Sequence, residues 1–421
     1  MIKERTGGVP AAQEEDSMAA KKLRLTKAQR QTLDQGFSAQ FGTAPEAYFS
    51  APGRTEIGGN HTDHQHGRVL AGAVNLDTLA AVRVTGENEI RILSQGYPLC
   101  IVSLKDLSPK KEEENSTAAL IRGVAARFRE LGAEIRGFDA YVTSTVLPGS
   151  GLSSSAAFEV LLGTICNDLF FENRLPAPEI AKIGQYAENV YFGKPCGLMD
   201  QMASAVGNLV SIDFADPEAP VVTPVDFDFG TCGYALCIID SKASHADLTD
   251  EYAAIPQELA GICGHFGKKY LRQVPEEEFY GALPELRREC GDRAVLRAIH
   301  VYEDNRRVDR QVAALKAGDF DTFLALVKES GYSSYMYLQN VIPAGYIAHQ
   351  DMAVALALCE KLLGGRGAYR VHGGGFAGTV QAFVPEDLLA EFRAGIDRVL
   401  GEGACHVLSI RPWGGVRAEV E

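Results

Sequence analysis

The stretch running from Leu147 to Ala157, Leu-Pro-Gly-Ser-Gly-Leu-Ser-Ser-Ser-Ala-Ala, limits what this chain can fold into more than any other segment. Gly149 and Gly151 allow a sharp turn and a close approach of backbone to a ligand. Tyr141 to Val146 ahead of it reads as a strand, and Phe158 to Gly163 behind it as the body of a helix. In such a strand–loop–helix setting the first N–H groups of the helix point outward without partners. The helix dipole adds positive potential there, so the loop is built to hold an anion. Ser153, Ser154 and Ser155 add hydroxyls suited to phosphate oxygens or a magnesium ion. The spacing is not that of a Walker loop, because no Gly-Lys-Ser/Thr follows the glycines, and Gly-x-Gly-x-x-Gly is missing too.

A chain of 421 residues suits two lobes rather than one simple core. Its formal charge of −14 argues against nucleic acid or an anionic membrane as partner. A polyanionic ligand must therefore be met by a local field. The nine cysteines show no Cys-x-x-Cys pair and no zinc spacing, which predicts reduced thiols and a cytoplasmic protein. No apolar signal region or membrane span is expected. Met1 to about Ala20 is polar and reads as a flexible N-terminal extension. The lobes are expected at 21–230 and 231–421, and the sequence leaves the oligomeric state open.

Helical spacing covers Leu25–Phe41, Thr117–Leu131 and Glu179–Tyr191, and most of Asp250–Glu360. Strands are expected at Leu79–Val84, Ile90–Leu93, Cys100–Leu104, Leu209–Asp213, Tyr234–Ile239 and Gly378–Val384. The pattern predicts an α+β protein with mainly antiparallel strands, not an alternating parallel sheet.

Three further segments carry chemistry. Gly53-Arg54-Thr55-Glu56-Ile57-Gly58-Gly59-Asn60-His61-Thr62-Asp63-His64 sets a carboxylate among donors, as recognition of neighbouring hydroxyls requires. His61, His64 and His66 taken alone also fit solvent-facing polar side chains or a metal trio. Glu188 leads through Gly193 and Cys196-Gly197-Leu198-Met199 to Asp200-Gln201, and the carboxylate after an apolar Leu-Met reads as a helix cap or a base. His372-Gly373-Gly374-Gly375-Phe376-Ala377-Gly378 lets backbone pass close to a ligand.

In this order, the four segments resemble those of the GHMP kinases, the family of galactokinase, homoserine kinase and mevalonate kinase, in their galactokinase version. There the serine loop is Gly-x-Gly-Leu-Ser-Ser-Ser-Ala, and the signature around Arg54 reads Gly-Arg-Val-Asn-Leu-Ile-Gly-Glu-His-Thr-Asp-Tyr. The resemblance spans about residues 35–400. It implies a two-lobed α+β fold with mixed and antiparallel sheets flanked by helices, and an active site between the lobes. It implies ATP-dependent phosphorylation of the anomeric hydroxyl of galactose, with Mg2+. Asp200 is then the catalytic carboxylate, with Arg54 beside it. Asn60, His61, Asp63, Gly197, Tyr252, Gly374 and Gly375 fall at the sugar. Pro148, Gly149, Ser150, Gly151, Leu152, Ser153, Ser154 and Ser155 fall at ATP, and Ser155 and Glu188 at the metal. His300 and Asp304 match a further family segment and read as part of a structural helix.

The chain also departs from the family pattern. Asn60 replaces a glutamate that the family places near the C6 hydroxyl, and His64-Gln65 replaces Tyr-Asn. Losing that charge leaves galacturonate or L-arabinose open as the substrate beside galactose. A non-catalytic sugar sensor is the reading from another class, and it is disfavoured because Asp200 and all three serines are present.

Overall fold

The computed structural model describes residues 23–146, 151–243 and 248–420. The polar stretch Met1–Ala20, the loop residues Leu147, Pro148, Gly149 and Ser150, and Ser244-His245 lie outside the described residues.

Thirteen strands build two sheets among the described residues: β1 Arg24–Leu25, β2 Ala47–Gly58, β3 Arg68–Val84, β4 Glu89–Ser94, β5 Cys100–Ser103, β6 Phe138–Ser144, β7 Leu209–Asp213, β8 Val221–Val225, β9 Tyr234–Asp240, β10 Ala368–His372, β11 Thr379–Pro385, β12 Cys405–Leu408 and β13 Val416–Val420. The larger sheet runs β1-β13-β2-β3-β6-β4-β5, with β7 also paired to β3 and β8 beyond it. Its pairs are antiparallel except β1 with β13 and β4 with β6. The smaller sheet, β10-β11-β9-β12, is antiparallel throughout. The last strand, β13, leaves the second half of the chain and closes the first sheet beside β2.

Apolar patterning explains the layers. Helices Thr117–Glu130, Ser154–Phe170, Ala177–Tyr186 and Met199–Val206 cover one face of the larger sheet, with Phe128, Leu161, Ile165 and Met202 fully buried against Phe49, Val82 and Phe138. In β9 alternate residues enter different cores. Leu236 and Ile238 face the larger sheet's side, while Cys237 and Ile239 face helices Asp351–Leu363 and Leu389–Leu400. A strand buried on both faces needs the continuous apolar run seen at Tyr234–Ile239.

Several boundaries differ from the sequence pattern, that of β3 most in length, since it begins at Arg68 and not at Leu79. The first helix begins at Lys27, because Thr26 caps it reciprocally with Gln29, and it stops where Gly42 turns left-handed at φ 70°. The helix expected over Glu179–Tyr191 is regular only to Tyr186 and then widens into a π-helical turn, Ala187–Phe192, closed by Gly193 at φ 85°. Periodicity alone does not register that widening, which sets Glu188 inward, 3% exposed.

Candidate active site between the two sheets

Strand β2 supplies the centre of the site. All twelve of its residues are buried, and its register slips between Pro52 and Arg54. At Gly53 an added Cβ would stand 2.9 Å from the Leu152 carbonyl, so the strand and the serine loop are in backbone contact. Arg54 N–H donates to Leu152 O at 3.0 Å, and its guanidinium donates to Gly151 O. Nε and the second terminal nitrogen of Arg54 grip both oxygens of Asp200, each at 2.6 Å. Burial alone would raise the Asp200 carboxyl. The Arg54 charge and hydrogen bonds, with the Ser153 hydroxyl, outweigh it and hold the group below its ordinary 3.8. Asp200 sits in the first turn of Met199–Val206, where the helix dipole also favours its charge.

The described part of the serine loop joins this pair to the start of helix Ser154–Phe170. Gly151 and Ser153 are left-handed, at φ 72° and 58°, and the helix begins at Ser154. Ser153 makes no side-chain cap bond to the helix, so its hydroxyl is available to Asp200. Ser155 and Glu159 lie one turn apart on the same helix face. Glu159 and Glu188 each accept from Gln201 Nε2, both at 2.9 Å, and Lys194 Nζ stands 3.4 Å from Glu188. Burial pushes the Glu159 carboxyl well up, reinforced by the charges of Glu188 and Asp200. Glu159 Oε1 and Gln201 Oε1 are buried without partners among the described residues. No three His, Cys, Asp or Glu side chains among the described residues converge to hold a metal, so a hard cation beside Ser155 and Glu188 would need phosphate oxygens and water to complete its shell.

Two adjoining cavities of about 200 Å³ and 480 Å³ open beside Asp200, sharing His61, Asp63, His64, Cys196 and Gly197 in their walls. Asp63 accepts from the His64 N–H through Oδ1 at 2.8 Å. A Cβ on Gly197 would fall 2.0 Å from Asp63 Oδ2, so a side chain there would displace the Asp63 carboxylate from its place in the cavity wall. Tyr252 reaches the triple-glycine turn, donating to Gly375 O at 2.8 Å, and its ring would be 2.8 Å from a Cβ on Gly374. His61 is placed between that turn and His64: Nε2 stands 3.0 Å from Gly374 O and Nδ1 3.1 Å from His64 Nε2. A carbonyl can only accept, so Nε2 of His61 carries the proton and Nδ1 accepts from His64. Burial holds His61 down to about 3, hence neutral at pH 7. His66 takes no part in this pair, since its ring stacks on Tyr270 at 3.6 Å.

The second sheet fixes this frame through Arg370 and Gln381, which carry no motif of their own, and through His372 at the head of the triple-glycine motif. Fully buried Arg370 donates to Ile57 O and to Glu56, and Gln381 donates to Thr55 and to Glu56 O. His372 Nε2 accepts from Glu56 N–H at 3.2 Å. Burial and the Arg54 charge hold His372 neutral, as that bond requires. Helix Asp292–Lys316 holds the turn after β2: Asp304 accepts from Asn60 N–H at 2.8 Å, and His300 Nε2 meets Asn60 O at 3.0 Å. Asn60 and Glu56 both face the smaller cavity, and burial pushes Glu56 up to about 7 against the pull of Arg370 and Arg54.

A serine-rich helix start, a clamped aspartate and a polar cavity between two sheets are the arrangement expected of a GHMP-type small-molecule kinase, and the comparisons with known proteins agree. A family model for the GHMP kinases N terminal domain matches residues 119–208, and one for the galactokinase galactose-binding signature matches residues 35–84. The galactokinase of Streptomyces coelicolor is 33% identical over 370 residues, 87% of this chain and 90% of that protein. That of Glaesserella parasuis is 34% identical over 363 residues, 85% and 90%. The structure of Lactococcus lactis galactokinase complexed with galactose superposes with a TM-score of 0.78 at 25% identity, over 92% of this chain and 99% of that one. Methanococcus jannaschii mevalonate kinase shares the fold at a TM-score of 0.62. The chain belongs to the galactokinase family.

Proposed function

We propose that this chain transfers the γ-phosphoryl group of ATP to the anomeric hydroxyl of galactose, giving galactose 1-phosphate and ADP. The observation that carries this reading is the buried Arg54, which ties Asp200 to Gly151 of the serine loop. It sets the carboxylate where a sugar in the polar cavity would meet a phosphate at the helix start. Phosphoryl transfer asks mainly for positioning and charge neutralisation. Asp200 accepts the hydroxyl proton or orients it. An anomeric hydroxyl is more acidic than an ordinary alcohol, so an aspartate held strongly ionised suffices. Asp63 accepts from ring hydroxyls, and the N–H groups of Ser154 and Ser155 face the phosphates. Ser155 and Glu188 would hold magnesium, which when bound neutralises charge on the β- and γ-phosphates.

A third cavity, of about 360 Å³, lies beside the same helix start and is lined by Ile92, Tyr97, Leu99, Ser116, Ala118 and Phe158, among others. Its mostly apolar walls one turn beyond Ser154 suit a purine, and no motif in the sequence marks it. Replacing Ala118 by Trp fills it. ATP KM is expected to rise at least tenfold with galactose KM unchanged, as steady-state kinetics would reveal.

The functional reading itself is tested by ADP release with MgATP against galactose, galacturonate and L-arabinose. Turnover is expected to be highest on galactose. ATP binding without turnover on any sugar would overturn the reading and revive a sensor.

A further inference from the structure

Asn60 has no hydrogen-bonding capacity left for a ligand. Its amide donates to Glu56 Oε1 at 3.0 Å and to Gly373 O at 2.6 Å, while Oδ1 accepts from Asn340 at 2.8 Å and Ser334 at 3.3 Å. Those four bonds are the full complement of a carboxamide, and the residue is 0% exposed. Glu56 is the opposite case. Its side-chain bonds, from Asn60 and Arg370, both fall on Oε1, and among the described residues Oε2 accepts none, although Glu56 lines the cavity. In the family signature Asn stands in register with Glu56, and Glu with Asn60. This chain carries the same pair exchanged, and the two side chains touch. The cavity therefore keeps its carboxylate and moves it.

Position gives the carboxylate a task. Arg54 and Glu56 are two apart on β2, in unbroken register from Arg54 opposite Ala73 to Glu56 opposite Ala71. They share a face and stand roughly 7 Å apart along the strand. Arg54 reaches Asp200 and the serine loop, so Glu56 stands one strand repeat beyond the reacting end. That is about the width of a pyranose ring.

We propose that Glu56, and not residue 60, is the carboxylate that selects the sugar, accepting a hydrogen bond from a hydroxyl on the C4–C6 side of the ring, opposite the hydroxyl engaged by Asp200. The assignment rests on the sugar-kinase reading above. It reverses the expectation drawn from Asn60 alone: a uronate would bring its carboxylate against that of Glu56, so galacturonate should be the poorer substrate, increasingly so as pH rises through the value of about 7 to which burial pushes Glu56.

The test is kcat/KM of wild type and Glu56→Gln on galactose, 4-deoxygalactose and 6-deoxygalactose. Wild type should reject one of the deoxy sugars by about tenfold or more, the scale of a lost hydrogen bond to a charged group. Glu56→Gln should bring galactose down to that deoxy sugar's level, through KM and with little change in kcat. A folded Glu56→Gln enzyme that keeps the wild-type ratio between galactose and both deoxy sugars overturns the assignment. Should that variant fail to fold, Glu56→Asp decides, because it keeps the carboxylate and withdraws it by one methylene. Galactose falling toward the level of that deoxy sugar supports the assignment, and the wild-type ratio retained in a folded protein overturns it. If wild type instead phosphorylates a different aldose, the galactose reading fails by itself. The role of Glu56 is then accepted or rejected on the same ratio measured with that aldose and its deoxy forms.

Discussion

Replacing Asp200 by Asn should lower kcat on galactose by about 10³-fold or more, the upper range for losing a group that receives or orients the transferred proton. The substitution keeps the shape that Arg54 grips and removes the charge. Ala is the poorer test. Either change leaves a guanidinium only 7% exposed without its counter-charge, at about 3 kcal/mol, but Ala also removes the remaining acceptor oxygen and empties the space beside it. Single-turnover kinetics would separate chemistry from product release, and a residual rate above a few per cent of wild type would contradict the role given to Asp200. The pH dependence has a definite sign. The Asp200 carboxyl is held below its ordinary 3.8, so it is ionised throughout neutral pH and loses its charge only as pH falls through that depressed value. Between pH 5 and 8, kcat should show no limb belonging to this group. The stability contributed by the Arg54–Asp200 pair should likewise persist until strongly acid pH, as thermal melts at pH 7, 5 and 4 would show.

Much of this site was legible because its parts are contiguous. The serine loop, the Arg54-to-His64 segment and the turn at Gly373-Gly374-Gly375 each hold their meaning in a dozen residues or fewer, and the mixed fold followed from strand and helix periods. What escaped were partners far apart in sequence. Arg370 and Glu56 are separated by 314 residues, His372 and Glu56 by 316, and Gln201 and Glu159 by 42. No local pattern announces such pairs. Asn60 shows the limit from the other side. Read alone, it removed a charge from the cavity, whereas the structure puts a carboxylate in contact with it. His300 and Asp304 lie on a helix, as their spacing implied, and they also hold the backbone of Asn60. Glu188 was found by motif, but the wide turn that carries it inward has no periodicity to read.

Arg54 is where the two halves of the reaction meet, and Arg54→Lys should cost about 10²-fold to 10³-fold in kcat, the magnitude associated with removing a preorganised electrostatic contact. Lysine keeps the charge. It cannot reproduce the planar fork that binds both Asp200 oxygens while a further N–H holds Gly151 O. Two failures are therefore coupled in this variant. Asp200 loses its fixed orientation, and the serine loop loses a tie to β2, keeping the backbone bond from Arg54 N–H to Leu152 O among the described residues. Arg54 lines the smaller cavity, but its guanidinium is engaged by Asp200 and Gly151 O while Asp63, Gly197 and the triple-glycine turn supply the rest of the wall, so galactose KM should move little while kcat falls and ATP KM rises. That split distinguishes a clamp between two sites from a general loss of folding, which would depress the active fraction and leave both KM values unchanged. Galactose KM rising in step with the loss of kcat would instead place Arg54 on the sugar itself.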